Sequence, residues 1–329
     1  MKTLNTHALV SLPFLLSLAA CSAGIGDLSG GGGDNAGGSD AAGGRGGSDT
    51  ATTASSSTST GMSTGAFMGA GGSDPMPTGC ESAPDEDKDM DGFSKAQGDC
   101  NDCDANVNPG AIEVVGEADG MGGAGGYMPA DEDCDGTVDN PPMPCDTGLA
   151  LDSANANDAA KAIELCKPST GPNDWGVVSA QWVRANGTPA VTPSQAFGIL
   201  PNFGPNLTPQ AGASMLGVSS GHARSASQPG ACGQLTCMTT GPGTPPPGFP
   251  QDVPGCSGGT NINDDIALDV TLRAPKNATG YKFDFDFYSF EYPEWVCTTF
   301  NDQFIALVNP APMGSINGNI SFDSMGNPV

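Results

Sequence analysis

Apolar residues are unevenly spaced along this chain, and where they cluster in its second half they alternate with polar ones. Ile266, Leu268, Val270 and Leu272 are separated by Ala267, Asp269 and Thr271. Tyr281, Phe283, Phe285 and Phe287 are separated by Lys282, Asp284 and Asp286. A period of two places one residue set on one side of an extended backbone, so each run predicts a strand with one buried face. Residues 176–184, 303–308 and 319–322 predict further strands, and 157–166 (NDAAKAIELC) a short helix. Pro- and Gly-rich stretches, notably 241–248, separate them. Many strands and few helices predict a mainly β fold, a β-sandwich, over residues 144–329.

One apolar run does not alternate. Residues 8–20 read ALVSLPFLLSLAA, and Lys2 is the only charged residue before Asp27. Such a run is too short to span a bilayer and fits the core of a signal peptide. It ends Leu18-Ala19-Ala20-Cys21, which resembles the lipobox of bacterial lipoproteins. The resemblance implies cleavage before Cys21, lipid on its thiol, and residues 1–21 as signal peptide and lipobox. Ser22 rather than an aspartate follows, which implies sorting to the outer membrane. Several acyl chains hold a protein stably where a single one does not.

Residues 22–79 are mostly Gly, Ser, Ala, Thr and Asp, with Phe67 their one aromatic residue. Such a composition buries too little surface to offset chain entropy, so the segment is expected to be a disordered tether. Gly-rich scaling gives it an r.m.s. span on the order of 40 Å. Its expected role is to lift the rest of the chain off the membrane.

Cysteine and charge narrow the picture. Eleven cysteines less Cys21 leave ten, an even number that fits disulfides in an oxidising compartment. The chain carries 37 acidic and 11 basic residues, a net charge of -26. That balance excludes nucleic acid as a partner and favours cations.

The acids concentrate in residues 80–143, a small loop-rich module. Residues 81 to 139 hold 17 acids and two lysines. Two like charges about 4 Å apart repel by roughly 4 kcal/mol at an effective dielectric of 20, so the module needs cations or protons to be compact. Asp87, Asp89, Asp91 and Gly92 form D-x-D-x-D-G. Alternate aspartates of such a loop converge on one ion, the glycine permits a sharp turn, and the carbonyl of Phe93 is placed as a further ligand. Position twelve, where an EF-hand closes with glutamate, is Gly98, so Asp99, Asp102 or Asp104 must close the site. Asp131, Asp133, Asp135 and Gly136 repeat the motif, with the Thr137 carbonyl and Asp139 as further ligands. All-oxygen donors in irregular number select a hard cation, and calcium is the expected one.

The stretch 87–140 resembles the metal-binding repeat of bacterial surface proteins related to the MopE family. The matching residues are Asp89-Met90-Asp91-Gly92, Gly98-Asp99-Cys100-Asn101-Asp102, Asn108-Pro109-Gly110-Ala111-Ile112-Glu113 and the run 131–139. Two features depart from the pattern. Val114 and Val115 stand where a cysteine usually follows Glu113, which leaves Cys103 as a substitute pairing partner, and a Gly-rich insertion, 116–130, splits the halves. Copper is not expected, because His222 is the one histidine after Cys21 and copper sites want imidazole or thiolate.

The run 281–294, with Ser289-Phe290-Glu291-Tyr292-Pro293-Glu294, and then Phe300-Asn301-Asp302-Gln303-Phe304, resembles the choice-of-anchor L domain of bacterial surface proteins. The resemblance spans about 145–329 and implies a jelly-roll-like β-sandwich displayed on the cell surface, with no established chemistry. The family domain continues past the strand near 319–324, so the resemblance implies either a truncated chain or an incomplete final sheet, whose unpaired edge would be exposed.

Together these readings give a lipid-anchored surface protein with a calcium-stabilised display or adhesion module and no enzymatic activity. A lone loop histidine, His222, is not expected to serve as a catalytic base. Glu291 and Asp302 are expected at the ends of adjacent strands, where they either share a cation or close a loop. The alternative reading is a lectin-like carbohydrate-binding module that uses the sandwich face or the loop around Trp295. The expected partners are the outer membrane through the lipid, calcium ions, and a surface glycan or protein.

Overall fold

The computed structural model describes residues 81–115, 129–140, 142–192, 194–234, 237–251, 255–256, 261–281, 283–289, 295, 297–298 and 302–321, together with two short strands at 44–45 and 67–69. The expected lipidation site Cys21, most of the expected tether, residues 116–128 of the Gly-rich insertion, Glu291 and residues 322–329 lie outside the described residues.

The centre of the molecule is one long antiparallel pair, β3 (Gly176–Val183) against β8 (Ala267–Arg273). Its register sets Val177 opposite Leu272, Ala180 opposite Val270 and Trp182 opposite Leu268. Both strands were legible as apolar runs rich in branched residues, which suit a half-buried pleat. Helix α1 (Ala156–Lys161) packs on this pair. The Asn155 side chain accepts the Asn157 amide at 3.1 Å and caps the first turn. Ala156, Ala159 and Ala160 fall on one helix face and are buried. The helix starts one residue before the expected 157–166 and ends earlier. Beyond Lys161 the chain turns, Glu164 takes a left-handed φ of 64°, and Cys166 is held by a disulfide to Cys145.

Two further short strands, β4 (Phe197–Leu200) and β5 (Met215–Val218), pair antiparallel. Phe197 stacks on Trp182 with ring centroids 3.8 Å apart, and both belong to the main core with Ile266, Leu268 and Val270. Trp182 is thus a core residue. The remaining pairs are small: β6 (Pro242–Gly243) with β7 (Ile262–Asn263), β2 (Phe67–Gly69) with β9 (Ala278–Tyr281), and β1 (Gly44–Arg45) with β10 (Asp286–Phe287).

The expected jelly-roll-like β-sandwich is therefore corrected. Among the described residues every sheet has two strands, no strand belongs to two sheets, and no sheet closes or curls. Most of the described residues are loop and turn. The aromatic run 281–287 is not one strand: among its described residues Tyr281, Asp286 and Phe287 are in ladders and Phe283, Asp284 and Phe285 are not. Its side chains still gather on one side, where Tyr281, Phe283, Phe285 and Phe287 pack on Phe304, Ala306 and Val308. Over their described residues the expected strands 303–308 and 319–322 form no ladder; they meet through the isolated bridge of Leu307 with Asn319, the Ile320 amide on the Ala306 carbonyl (2.9 Å) and the Ser321 hydroxyl on the Phe304 carbonyl (2.8 Å). The physical reason lies in the backbone. With 49 Gly and 28 Pro, the connections lack amide donors and favour turns. Acidic side chains then hold amides that a ladder would otherwise use. Asp264 accepts the amides of Thr239, Thr240 and Gly241, and Asp146 those of Ala213 and Ser214.

The acidic segment is joined to this body rather than standing apart from it. Asn277, 3 % exposed, accepts the Ile112 amide at 3.0 Å and donates to the Ile112 carbonyl at 2.9 Å. Beside it the Lys276 amide donates to the Gly110 carbonyl at 2.9 Å. Among the described residues no helix is long and apolar enough to cross a membrane.

Candidate metal centres

The two D-x-D-x-D-G loops fold alike, down to individual hydrogen bonds. In the first, Gly92 donates its amide to Asp87 (3.1 Å), Asp91 to Asp89 (3.2 Å) and Phe93 to Asp91 (2.7 Å). In the second, Gly136 donates to Asp131 (3.0 Å), Asp135 to Asp133 (3.2 Å) and Thr137 to Asp135 (2.7 Å). The fourth residue of each loop, Met90 or Cys134, takes a left-handed φ of 66° or 56°. The sixth is Gly92 or Gly136, at φ 101° or 91°, a conformation that any side chain would strain. In the first loop Asp89 and Asp91 each spend one oxygen on the turn and keep the other free, whereas in the second Asp131 and Asp135 spend both.

At the first centre two triads share Asp89. Carboxylate oxygens of Asp87, Asp89 and Asp91 lie within 4.8 Å of one another, as do those of Asp89, Asp99 and Asp102. Asp99 and Asp102 come from the turn that follows a single 3-10 turn at Lys95–Gln97, and they close the site where Gly98 leaves it open. Asp102 is fully buried and Asp99 is 5 % exposed. Asp102 accepts the Lys88 amide at 3.0 Å with one oxygen, and Asp99 accepts the Asn101 amide at 2.8 Å. The second oxygens of Asp89, Asp91, Asp99 and Asp102 are buried with no hydrogen-bond partner. An orphaned buried carboxylate oxygen is costly, and several converging on one point fit a cation.

At the second centre two triads share Glu113. One is Glu113, Asp131 and Asp133; the other is Glu113, Glu132 and Asp139. Glu132 is fully buried and accepts the Val114 amide at 3.2 Å, while Glu113 accepts the Asp133 amide at 3.0 Å. The second Glu113 oxygen is buried without a partner. Glu113 and Glu132 were not read as ligands from the sequence. Glu113 lies across the Gly-rich insertion from the loop that it completes, and Glu132 occupies an even position that loop spacing assigns to solvent.

Four of the residues singled out stand elsewhere. Asp135 belongs to neither triad; it accepts the Thr137 amide and the Asn140 side chain (2.8 Å), so it braces the loop. Thr137 lends its amide to that brace. Phe93 buries its ring against Gly110, where a methyl group would come within 3.0 Å of it. Asp104 accepts the Asn106 amide and side chain in a local turn. The disulfide Cys100–Cys134 ties the closing turn of the first centre to the loop of the second, and Cys103 is also disulfide-bonded.

Crowding shows in the proton affinities. Burial, then the neighbouring carboxylates, push Asp91 up to about 7 and Asp99 up to about 6 against the turn amides that pull them down. Burial pushes Glu113 up to about 7, with Asp133, Glu132 and Asp131 adding to it. Asp89 and Asp133 are raised for the same reasons. These carboxylate groups can coordinate a metal ion, whose charge would replace the protons that the clusters otherwise attract.

Elsewhere, His222 donates from Nδ1 to the Gly230 carbonyl at 2.7 Å. Gly217-Val218-Ser219-Ser220-Gly221 matches G-x-S-x-G, the string of a nucleophile elbow. Ser219 there is 4 % exposed, its hydroxyl accepts the Gly221 amide, and β5 leads into a bend rather than the helix of a nucleophile elbow. Asp302 accepts the Ser289 hydroxyl at 3.5 Å, while the Glu291 expected beside it lies outside the described residues. Neither a family model nor a curated protein nor a solved structure matches this chain.

Proposed function

We propose that this chain is a lipid-anchored surface protein whose segment 81–140 takes up calcium and is made rigid by it, as part of a non-enzymatic display or adhesion module. The carrying observation is the pair of acidic loops of like geometry, closed by carboxylates from elsewhere, with buried partnerless oxygens on Asp89, Asp91, Asp99 and Asp102 at the first centre and on Glu113 at the second. Calcium is favoured over magnesium because the triads share ligands and offer irregular oxygen sets rather than an octahedron. It is favoured over zinc or copper because the donors are carboxylates without imidazole or thiolate. The lipid anchor is supported by Leu18-Ala19-Ala20-Cys21 after an uncharged apolar run. The surface role is supported by the resemblance to the MopE-type repeat.

Titration calorimetry of the chelator-treated chain is expected to show calcium uptake, with magnesium binding more weakly. Absence of heat at millimolar calcium would overturn the reading. Labelling with a radioactive fatty acid, lost in Cys21→Ala, tests the anchor separately.

A lectin-like role has one observation in its favour. Trp295 is 49 % exposed, and an exposed indole can stack on a sugar ring. Binding on a glycan array that disappears in Trp295→Ala is the outcome that would support it.

A further inference from the structure

The most unusual charge in the molecule is positive. Arg224 is 4 % exposed in a chain of net charge -26, yet among the described residues it forms no ion pair with a carboxylate. Its Nη1 donates to the carbonyls of Phe197 (2.6 Å) and Ala223 (2.7 Å), and its Nε has no partner. Two neutral carbonyls are weak compensation for a buried guanidinium, which ordinarily sits against a carboxylate. The fold makes room for it. At Gly198 a β-carbon would collide with the guanidinium, so β4 accepts the arginine only where it lacks a side chain.

Arg224 lines a cavity of about 950 Å³. That volume is at the upper end of small-molecule sites. Arg184 lines it too, but Asp265 already holds that guanidinium through Nε at 2.9 Å. Leu151, Val191 and Met238 add apolar surface, and Gln195 and Thr240 add polar groups. Asp152 also lines the cavity and is the charge that acts on Arg224, without approaching to ion-pair distance. The wall at 239–241 is fixed by Asp264, which accepts its three amides at 2.6–2.8 Å. The cavity is therefore a held shape with one cation left without a counter-ion.

We propose that this cavity binds a small organic carboxylate, whose anionic head neutralises Arg224 and whose apolar body covers Leu151, Val191 and Met238. The site is separate from the metal centres and does not depend on their reading.

The test uses the full chain and sodium benzoate, phenylacetate and glucuronate, with benzamide and phenylacetamide as neutral matches. At least one carboxylate is expected to raise the melting temperature and give a saturable calorimetric isotherm, while its amide does neither. Asp152→Asn removes the competing charge from an exposed position and is expected to tighten binding. Gln195→Glu, also exposed, places a like charge in the cavity and is expected to weaken binding about tenfold or more. Arg224→Gln should abolish it. The two exposed variants decide the matter if that protein fails to fold. Equal binding of acid and amide, no binding by any of the three salts, or affinities unmoved by Asp152→Asn and Gln195→Glu would each overturn the proposal.

Discussion

Asp89 is the residue on which the first centre turns, because both of its triads include it. Asp135, its neighbour in motif but not in space, braces a loop instead. Asp89→Asn is therefore expected to cost calcium affinity at least the roughly ten- to hundredfold lost with outer partners of metal ligands. Asp135→Asn should cost much less, and paired calorimetric titrations distinguish them. A pH dependence follows from the same side chains. In the folded, metal-free chain Asp91 and Glu113 are raised to about 7 and Asp99 to about 6, from 3.8 for aspartate and 4.5 for glutamate. The folded state therefore holds more protons than the unfolded one between about pH 4 and 7, so stability falls as pH rises through that window. With chelator present, the melting temperature should drop from pH 4 to pH 7; with saturating calcium the drop should vanish, since the ion replaces the protons. The alternate aspartates were legible because a loop's spacing is written in consecutive residues. Glu113 was not, because the contact that makes it a ligand forms only when Asp133 donates its amide to it from 20 residues away.

At the scale of elements, the disulfide Cys100–Cys134 is the link between centres. It closes a loop of 34 residues, for which chain-entropy scaling gives about 4 kcal/mol. The double variant Cys100→Ser, Cys134→Ser should lose about that much stability in urea, and it should bind calcium more weakly at both loops, as calorimetry would read. Strands β3 and β8 were legible because their apolar positions find each other as partners across the core. The run 281–287 was legible only in part. Alternation reports which side of the chain faces apolar neighbours, and Phe283 and Phe285 do face Phe304. It says nothing of whether a neighbouring backbone is there to complete the ladder. In a chain so rich in glycine and proline, that second condition mostly fails.

For the whole molecule, the junction at Asn277 matters most. Both of its amide groups are used on Ile112, and Lys276 reaches Gly110 beside it. Asn277→Ala leaves two buried main-chain groups of Ile112 without these partners, at a cost of about 1–3 kcal/mol each. Its melting temperature should fall in calorimetry even with calcium saturating. Because the segment 81–140 is joined to the β3–β8 body there, chelation should lower one shared unfolding transition of the native chain. In the Asn277→Ala protein the same scan should split into two. The joint could not be read from the sequence: it depends on an asparagine 165 residues from the carbonyl that it meets.

The bridge from Cys100 to Cys134 also has a mechanical meaning. In a chain pulled from both ends, tension runs through the acidic segment. The disulfide carries that tension directly from residue 100 to residue 134. The backbone between them is removed from the load, and at about 3.5 Å per residue it amounts to roughly 120 Å of contour. Part of the first centre and most of the second lie inside or at the edge of that shielded length. Under a pulling force the molecule would then stay short while oxidised, and reduction would release a slack several times the width of a small domain.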